Sequence, residues 1–399
     1  MNVLVINAGS SSLKYQLINM VDQQVLCKGQ VERIGIEGSF LKQKGGAEEA
    51  DIHAEIKNHN DAIQMVLEAL TDAKHGVVKS LEEIDAVGHR VLHGGEKFAD
   101  PVLVDEQVIH DLEAIADLGP LHMPANISGI KACQQAMPVP QVAVFDTGFH
   151  QTMPPKAYLY GLPYEAYEKH KVRRYGFHGT SHLFVSQRAA ELRGTEKGRM
   201  ITCHLGNGSS LCAILDGKCM DTSMGLTPLE GVVMGTRSGD MDPAIVKFIM
   251  EKEHKTIEEM DHYLNKESGV YGLSGVSSDF RDLAKAAAEG HRRAILALDV
   301  FIYRIQKYIG AYAAALGGVD TLVFTAGIGE NDHELRQNVC RDMDFFGIAI
   351  DEEKNASLPR GSEADISAPG ARVHTMVIPT DEEYMIARDT YEIVHEASQ

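Results

Sequence analysis

One pattern is written twice in this chain. Val3 to Ile6 is a short apolar run with β-branched residues and reads as a buried strand. Asn7-Ala8-Gly9-Ser10-Ser11-Ser12 is a turn of small residues, and Leu13 to Ile18 alternates apolar and polar as a second strand. Met200 to Leu205, Gly206 to Ser210 and Leu211 to Leu215 repeat the sequence of strand, small polar turn and strand. Gly9-Ser-Ser-Ser-Leu13 and Gly208-Ser-Ser-Leu211 correspond with one deletion, about half of the 399 residues apart. Self-similarity at that distance predicts a duplicated α/β domain rather than a solenoid, whose periods are far shorter. The length agrees, being too great for one ordinary domain.

Composition narrows the partners. With 38 Lys+Arg against 57 Asp+Glu the formal charge is −19, which repels nucleic acid and anionic membrane at long range. Trp is absent and aromatics are 6%, which argues against a base-stacking platform. The cysteines, Cys27, Cys133, Cys203, Cys212, Cys219 and Cys340, form no CxxC pair and read as reduced core thiols of a cytoplasmic protein. The N-terminus lacks a basic region and its apolar run stops at Asn7, so it does not read as a signal peptide. The most apolar long stretch, 294–316, carries Asp299, Arg304 and Lys307 and is not expected to span a bilayer.

Several elements follow from pattern. A helix is expected over 60–70 with Asn60 or Asp61 as cap, and another over 182–192 with Thr180 and Ser181 as caps. Ile295, Leu298, Ile302, Ile305, Ile309, Tyr312 and Leu316 alternate spacings of three and four, a continuous apolar helix face that Gly317-Gly318 ends. A strand follows at 321–325, then a Gly-rich turn at 326–331; a last helix starts near Asp381. Polar segments 36–60 and 251–268 read as surface loops or exposed helix faces. Pro154-Pro155 is the expected region of a domain boundary.

Three Gly/Ser/Asn turns, at 7–12, 206–210 and 327–331, each follow a strand, where backbone amides approach a phosphate closely. None is a Walker A loop or a complete dinucleotide fingerprint. Lys14, beside the first turn, reads as a phosphate contact or an ordinary strand lysine. Arg90 lies between apolar residues and needs an anion, either a structural carboxylate or a substrate. His89 and His93 lack a third ligand and do not read as zinc ligands. Asp146 ends an apolar strand, where carboxylates face a ligand crevice or cap a turn. His178, flanked by glycine, precedes a helix start; it reads as a structural group or as a side chain aimed at an anion. Arg237 sits on a polar loop with Asp240 and Asp242 as alternative partners to a phosphoryl group. Glu382 and Glu383 read as helix-start acids, a role compatible with one also holding a metal.

In order, these segments resemble the acetate kinase family of the acetate and sugar kinase, Hsp70 and actin superfamily. The resemblance is carried by Val5-Ile-Asn-Ala-Gly-Ser-Ser-Ser-Leu-Lys14, Gly88-His-Arg-Val-Leu-His-Gly-Gly95, Phe145-Asp-Thr147, Phe149-His-Gln-Thr-Met-Pro154, Arg174-Tyr-Gly-Phe-His-Gly-Thr-Ser-His182, His204-Leu-Gly-Asn-Gly208, Gly235-Thr-Arg-Ser-Gly-Asp240, Ser278-Asp-Phe-Arg281 and Thr325-Ala-Gly-Ile-Gly-Glu-Asn331. It runs from residue 3 to about 390. It implies two duplicated actin-like, ribonuclease H-like domains with a cleft between them. The first, 1–150, would be closed by a C-terminal helix at about 384–399; the second, 151–383, would bind nucleotide and pair into a homodimer. The implied reaction is reversible, Mg2+-dependent (or Mn2+-dependent) transfer of the ATP γ-phosphoryl group to acetate, giving acetyl phosphate and ADP.

By the same resemblance Asn7 and Glu382 hold the metal, and Asp146, His178 and Arg237 are catalytic. Arg90 binds the acetate carboxylate, with Val91, Leu121, Phe177 and Pro228 as pocket walls. Ser10, Ser12, Lys14, His204, Leu205, Gly206, Asn207, Gly208, Asp279, Phe280, Arg281, Gly327, Ile328, Gly329, Glu330 and Asn331 contact ATP. Asp381 departs from the family, many members of which have Asn there. Propionate or butyrate kinase is the nearest rival reading; a non-enzymatic actin-like ATPase is the rival of another class. Arg90 and Arg237 argue against that ATPase, because a filament needs no carboxylate acceptor site.

Overall fold

A computed structural model describes residues 1–397. Its chain divides into two units, Met1–Phe149 with the segment from Asp381, and His150–Thr380. Each unit carries one sheet.

The first sheet holds β1 (Asn2–Ala8), β2 (Ser12–Asn19), β3 (Gln24–Glu32), β4 (Phe40–Lys44), β5 (Ala50–His53), β6 (Ala86–Val91), β7 (Val102–Leu103) and β8 (Gln141–Phe145), in the order β5-β4-β3-β2-β1-β6-β8-β7. β1 is antiparallel to β2 but parallel to β6, and β6 is parallel to β8. The second sheet holds β9 (Arg199–Leu205), β10 (Ser209–Leu215), β11 (Lys218–Thr222), β12 (Thr321–Thr325), β13 (Ala364–Asp365) and β14 (His374–Val377), in the order β11-β10-β9-β12-β14-β13. Here β9 is antiparallel to β10 and parallel to β12, which is parallel to β14. The central five strands therefore have the same order and directions in both sheets.

The register refines the internal repeat. Ala8 faces Leu13 at the end of the first hairpin, and Leu205 faces Ser209 at the end of the second. The place of Leu13 is thus held by Ser209, not Leu211, because the second turn is one residue tighter. Lys14 pairs across to Asn7, and Ser210 occupies the equivalent place opposite His204. The two alignments differ by two residues, so both leave Leu211 on the buried face that period-two alternation requires.

In the first unit, helices His59–Thr71 and Met123–Ala136 pack Ile63, Val66, Leu70, Ala132 and Cys133 against Leu4, Ile6, Leu13 and Val31 of the sheet. The opposite face receives Ile386 and Ala387 of helix Glu382–Ala397, against Val3, Val5, Val142 and Val144. Gly88 is required there, since a Cβ would stand 2.4 Å from Thr390 Oγ1 and 2.9 Å from Ile386 Cγ2. In the second unit, helix Arg292–Leu316 presents Ala297, Phe301, Ile305, Ile309 and Ala313 to Leu211, Ala213 and Leu322. Each fully buried large side chain contributes about 1.5–3 kcal/mol. Gly317, left-handed at φ 71°, ends the helix where expected.

Four expectations change. Asn58, not Asn60 or Asp61, caps the first helix, accepting from the Asp61 amide at 3.0 Å. The helix expected after Thr180 and Ser181 begins at Gly179, with His178 at its cap position and both hydroxyl residues inside the first turn. The Gly-rich segment 326–331 is a short helix, Ala326–Asn331, and not an open turn. Segment 36–60 contains β4 and β5, in which Leu41, Gln43, Ala50 and Ile52 share the inner face while Lys42, Lys44 and Asp51 are exposed. Segment 251–268 contains the exposed end of helix Ala244–Glu253 and helix Ile257–Lys266, as its charge predicts. All six cysteines are buried free thiols. No helix among the described residues is long and apolar enough to cross a membrane.

Candidate active site

In the first unit the expected groups collect at the C-terminal ends of the parallel strands. Asn7 closes β1, Arg90 lies near the end of β6, and Asp146 directly follows β8. Arg90 Nη2 donates to Asp146 Oδ2 at 3.0 Å, with the carboxylate side chain 1% exposed and the arginine 20%. The anion that Arg90 requires is therefore, in part, this carboxylate. Asp146, and more weakly Glu382 and Glu383, hold the guanidinium above even its usual high value against the cost of burial. Glu382 starts the C-terminal helix, where burial first, then the charge of Asp146, pushes its carboxyl up to about 7. Asp381 accepts from the Tyr384 amide at 2.9 Å, a capping role that Asp fills as well as Asn.

The turn after β1 is fixed from outside. His59 Nε2 bonds the Gly9 carbonyl at 2.7 Å, and Gly9 donates to the Ser12 carbonyl at 2.7 Å. Ser10 and Lys14 are exposed, and Ser12 is half-buried. Asn126, buried in helix Met123–Ala136, donates to the Ala8 carbonyl at 2.6 Å and accepts from the Leu92 amide at 2.8 Å. It ties the ends of β1 and β6 together and was not legible as a site residue. An asparagine inside an apolar helix was its only signal. His89 is buried on Gln141 at 2.7 Å, and burial pulls its ring down to about 4. His93 accepts from the Gly95 amide at 2.9 Å.

In the second unit a histidine cluster lies beside the Gly206–Gly208 turn. His178 has φ 57°, a left-handed conformation uncommon for a residue with a Cβ, and functional sites are where such strain concentrates. Its ring stacks on His204 with centroids 4.0 Å apart, and its Nδ1 meets Ser210 Oγ at 2.8 Å. Ser210 also meets His182 Nε2 at 2.8 Å, and Ser181 Oγ bridges His204 Nδ1 and Thr380 Oγ1 at 2.7 and 2.8 Å. A Cβ on Gly208 would stand 3.4 Å from Arg237 Nη1 and 3.5 Å from the His178 ring. The turn thus brings His178, Gly208 and Arg237 together.

Arg237 differs from Arg90. Its guanidinium donates to the Pro228 carbonyl at 3.1 Å and lies 3.7 Å from the Met234 sulfur, and no carboxylate pairs with it among the described residues. Burial alone pulls it below its ordinary value. The alternative partners are engaged elsewhere: Asp240 accepts from the Gly231 amide at 2.8 Å and from Tyr308, while Asp242 accepts from the Ala244 amide at 2.9 Å.

The third glycine segment starts at Ala326, φ 64°, directly after β12. Glu330 accepts from the Thr380 amide at 3.0 Å, and Asn331 donates to the Gly327 carbonyl at 2.8 Å. Arg336, 2% exposed, donates to the Gly329 and Glu330 carbonyls at 3.0 and 2.9 Å and anchors this segment; no sequence pattern pointed to it. Asp279 caps helix Phe280–Ala288 and pairs with the exposed Arg281 at 2.6 Å, which draws Asp279 down to about 2. Phe280 is a core residue packed on Phe301 at 4.6 Å between centroids. Among the expected pocket walls, Val91 and Phe177 are fully buried, Pro228 is half-buried and Leu121 is 68% exposed.

The model of the acetokinase family matches residues 2–388. The acetate kinase of Treponema denticola is 61% identical over 398 residues, covering 99% of this chain and 100% of that one. The crystal structure of Porphyromonas gingivalis acetate kinase superposes with a TM-score of 0.95 at 51% identity, covering 98% of this chain and 99% of that one. A propionate kinase from Francisella tularensis gives 0.91 at 42% identity, with 98% and 99% covered. With the family model matched over residues 2–388 and near full-length similarity to acetate kinases, this chain belongs to the acetokinase family.

Proposed function

We propose that this chain is an acetate kinase, transferring the γ-phosphoryl group of ATP reversibly to acetate. The observation that carries the reading is the contrast between the two arginines. Arg90 is held on Asp146, while Arg237 is half-buried beside His178 and a glycine turn with no carboxylate partner among the described residues. An arginine left in that state suits an incoming phosphoryl group.

An acetate oxygen attacks the γ-phosphorus as the bond from phosphorus to the ADP oxygen breaks, in line and without a phosphoenzyme. A carboxylic acid of this kind has a pKa of about 4–5 and reaches the site ionised, so no general base is needed. Arg90 binds the acetate carboxylate, Asp146 fixes that arginine, and Arg237 and His178 donate to the transferring oxygens. Val91, Leu121, Phe177 and Pro228 shape the acyl site. The turns at 7–12 with Lys14, at 204–208, at 279–281 and at 327–331 cradle the nucleotide.

Mg2+ or Mn2+ fits the first-unit residues. Asn7, Asp146 and Glu382 offer hard oxygen donors, and the burial and neighbouring Asp146 charge that lift Glu382 to about 7 are what a divalent cation would offset. Asn7 and Glu382 would hold the ion, which supplies charge neutralisation to the phosphates. The two units are read as a duplicated pair, with nucleotide binding and homodimer contacts in the second. Exposed apolar side chains on its helices, Phe248, Leu273, Leu296 and Tyr303, support self-association. A cytoplasmic setting accords with six buried free thiols.

Hydroxylamine trapping of acyl phosphate, with ATP, Mg2+ and acetate, tests the reading; no trapped product sinks it. The similarity to a propionate kinase favours propionate as the second reading, and one methylene is worth about 10–200-fold in kcat/KM. A propionate preference of that size over acetate would reassign the substrate.

A further inference from the structure

Three soft ligand atoms converge in the core of the second unit, on side chains given no catalytic role. His150 Nδ1 lies 3.2 Å from Cys219 Sγ and 3.9 Å from Cys212 Sγ, and the two sulfurs are 3.4 Å apart. All three residues are fully buried. Cys212 is on β10 and Cys219 on β11, while His150 opens the unit about sixty residues earlier.

We propose that His150, Cys212 and Cys219 form a structural metal site for a thiophilic divalent cation, with zinc the best match. With Zn–S of about 2.3 Å and Zn–N of about 2.0–2.1 Å, a tetrahedral ion sets its sulfurs about 3.8 Å apart and sulfur to nitrogen about 3.6 Å. The triangle present departs from those values by a few tenths of an ångström on each side. The imidazole is set for ligation. Its Nε2 donates to the Phe177 carbonyl at 2.9 Å, which leaves the Nδ1 lone pair facing the sulfurs. A metal-bound histidine commonly has its other nitrogen on a carbonyl in this way.

The surroundings hold the ring and the hairpin in place. Gly176, at φ +77°, has no room for a side chain: a Cβ would stand 2.8 Å from His150 Cδ2 and 2.2 Å from Thr222 Cγ2. Thr152 donates to the Cys219 carbonyl at 2.8 Å, lacing the His150 segment to β11. Charge balances as well. On binding, both thiols release a proton, and two thiolates with a dication leave no net charge in the core. Three protein ligands leave one position for a water. The ion would clamp the first turn of the second unit to the β10–β11 hairpin.

The test uses the full chain, stripped by chelator under reducing conditions and titrated with Zn2+ alone. One tightly held zinc per chain is expected, with two sulfurs at about 2.3 Å and a nitrogen at about 2.0 Å by X-ray absorption, and a raised unfolding temperature. Cys212→Ala and Cys219→Ser should each weaken Zn2+ binding at least about 100-fold, the upper range for losing a mere outer-shell partner. Cys340→Ala should not change it. Should the cysteine variants fold poorly, Co2+ added to the unaltered chain keeps the question open to measurement through thiolate-to-cobalt charge-transfer absorption. Absence of that band, a shell of oxygen and nitrogen only, or full zinc retention by Cys212→Ala/Cys219→Ser would overturn the proposal. A Cys212–Cys219 disulfide persisting in reductant would do the same.

Discussion

Arg90 and Asp146 form a buried ion pair at 3.0 Å, joining the ends of two parallel strands in the first unit. On the proposed reading the carboxylate orients an arginine and takes no proton from an acceptor that arrives ionised. Asp146→Asn should cut kcat/KM for acetate by about tenfold or more, and Arg90→Ala should act mainly by raising the acetate KM. A double-mutant cycle should give a coupling of about 1.5 kcal/mol or more. Additive losses in the double variant would deny the partnership. Rescue of Asp146→Asn by high Mg2+ would move the carboxylate to the metal.

Arg237 pairs with no carboxylate among the described residues, so Arg237→Ala should leave the unfolding midpoint nearly unchanged while kcat falls by about 10³–10⁵. Steady-state kinetics beside a denaturation curve separates the two. A destabilised variant with normal turnover would return Arg237 to a structural role.

Gly88 and the C-terminal helix make a mechanical prediction. A methyl group at residue 88 meets Thr390 and Ile386 at under 3.0 Å, so Gly88→Ala must push that helix outward. A cost of about 1–3 kcal/mol is expected from overpacking. Because Glu382 begins the same helix, the Mg2+ concentration for half-maximal activity should rise too. A stability loss with unchanged metal dependence would uncouple the helix from the metal site.

Two carboxyl groups predict how stability varies with pH. Burial pushes Asp389 up to about 7, and burial with Asp146 pushes Glu382 to about the same value. Folded pKa values above the unfolded ones mean that the native state binds more protons in between. Stability is then fully present below about pH 4 and is lost as pH rises to about 7, by on the order of 3 kcal/mol per group. Asp389→Asn should flatten this fall in metal-free protein without touching the site. An unchanged slope in thermal unfolding from pH 4 to 8 would show that Asp389 does not titrate there.

What the sequence disclosed and what it hid divide by range. Local patterns gave the opening strands, the helix ended by Gly317 and the strand at 321–325, because periodicity and capping are short-range physics. Ordered motifs pointed to Arg90, Asp146, His178 and Arg237. The residues that hold the segments around them were not legible. Asn126 ties two strand ends from a helix, Arg336 holds a glycine segment from the next helix, and Ser181 bridges His204 to Thr380. Each depends on a fold that brings distant positions within 3 Å. The His150–Cys212–Cys219 triangle was missed for the same reason, since no local spacing announces it. The glycines of segment 326–331 signal a turn, whereas β12 feeds directly into a short helix there.

The matched hairpins show what a repeated fold makes available. One strand position holds an exposed lysine in the first copy and a buried serine, shared by two histidines, in the second. Opposite them stand an amide and an imidazole, Asn7 and His204. The same backbone address thus serves a solvent-facing charge in one half and a hydroxyl relay in the other. Once copied, each edge was free to take up its own chemistry, and alterations to either relay or charge need not be accommodated by its twin.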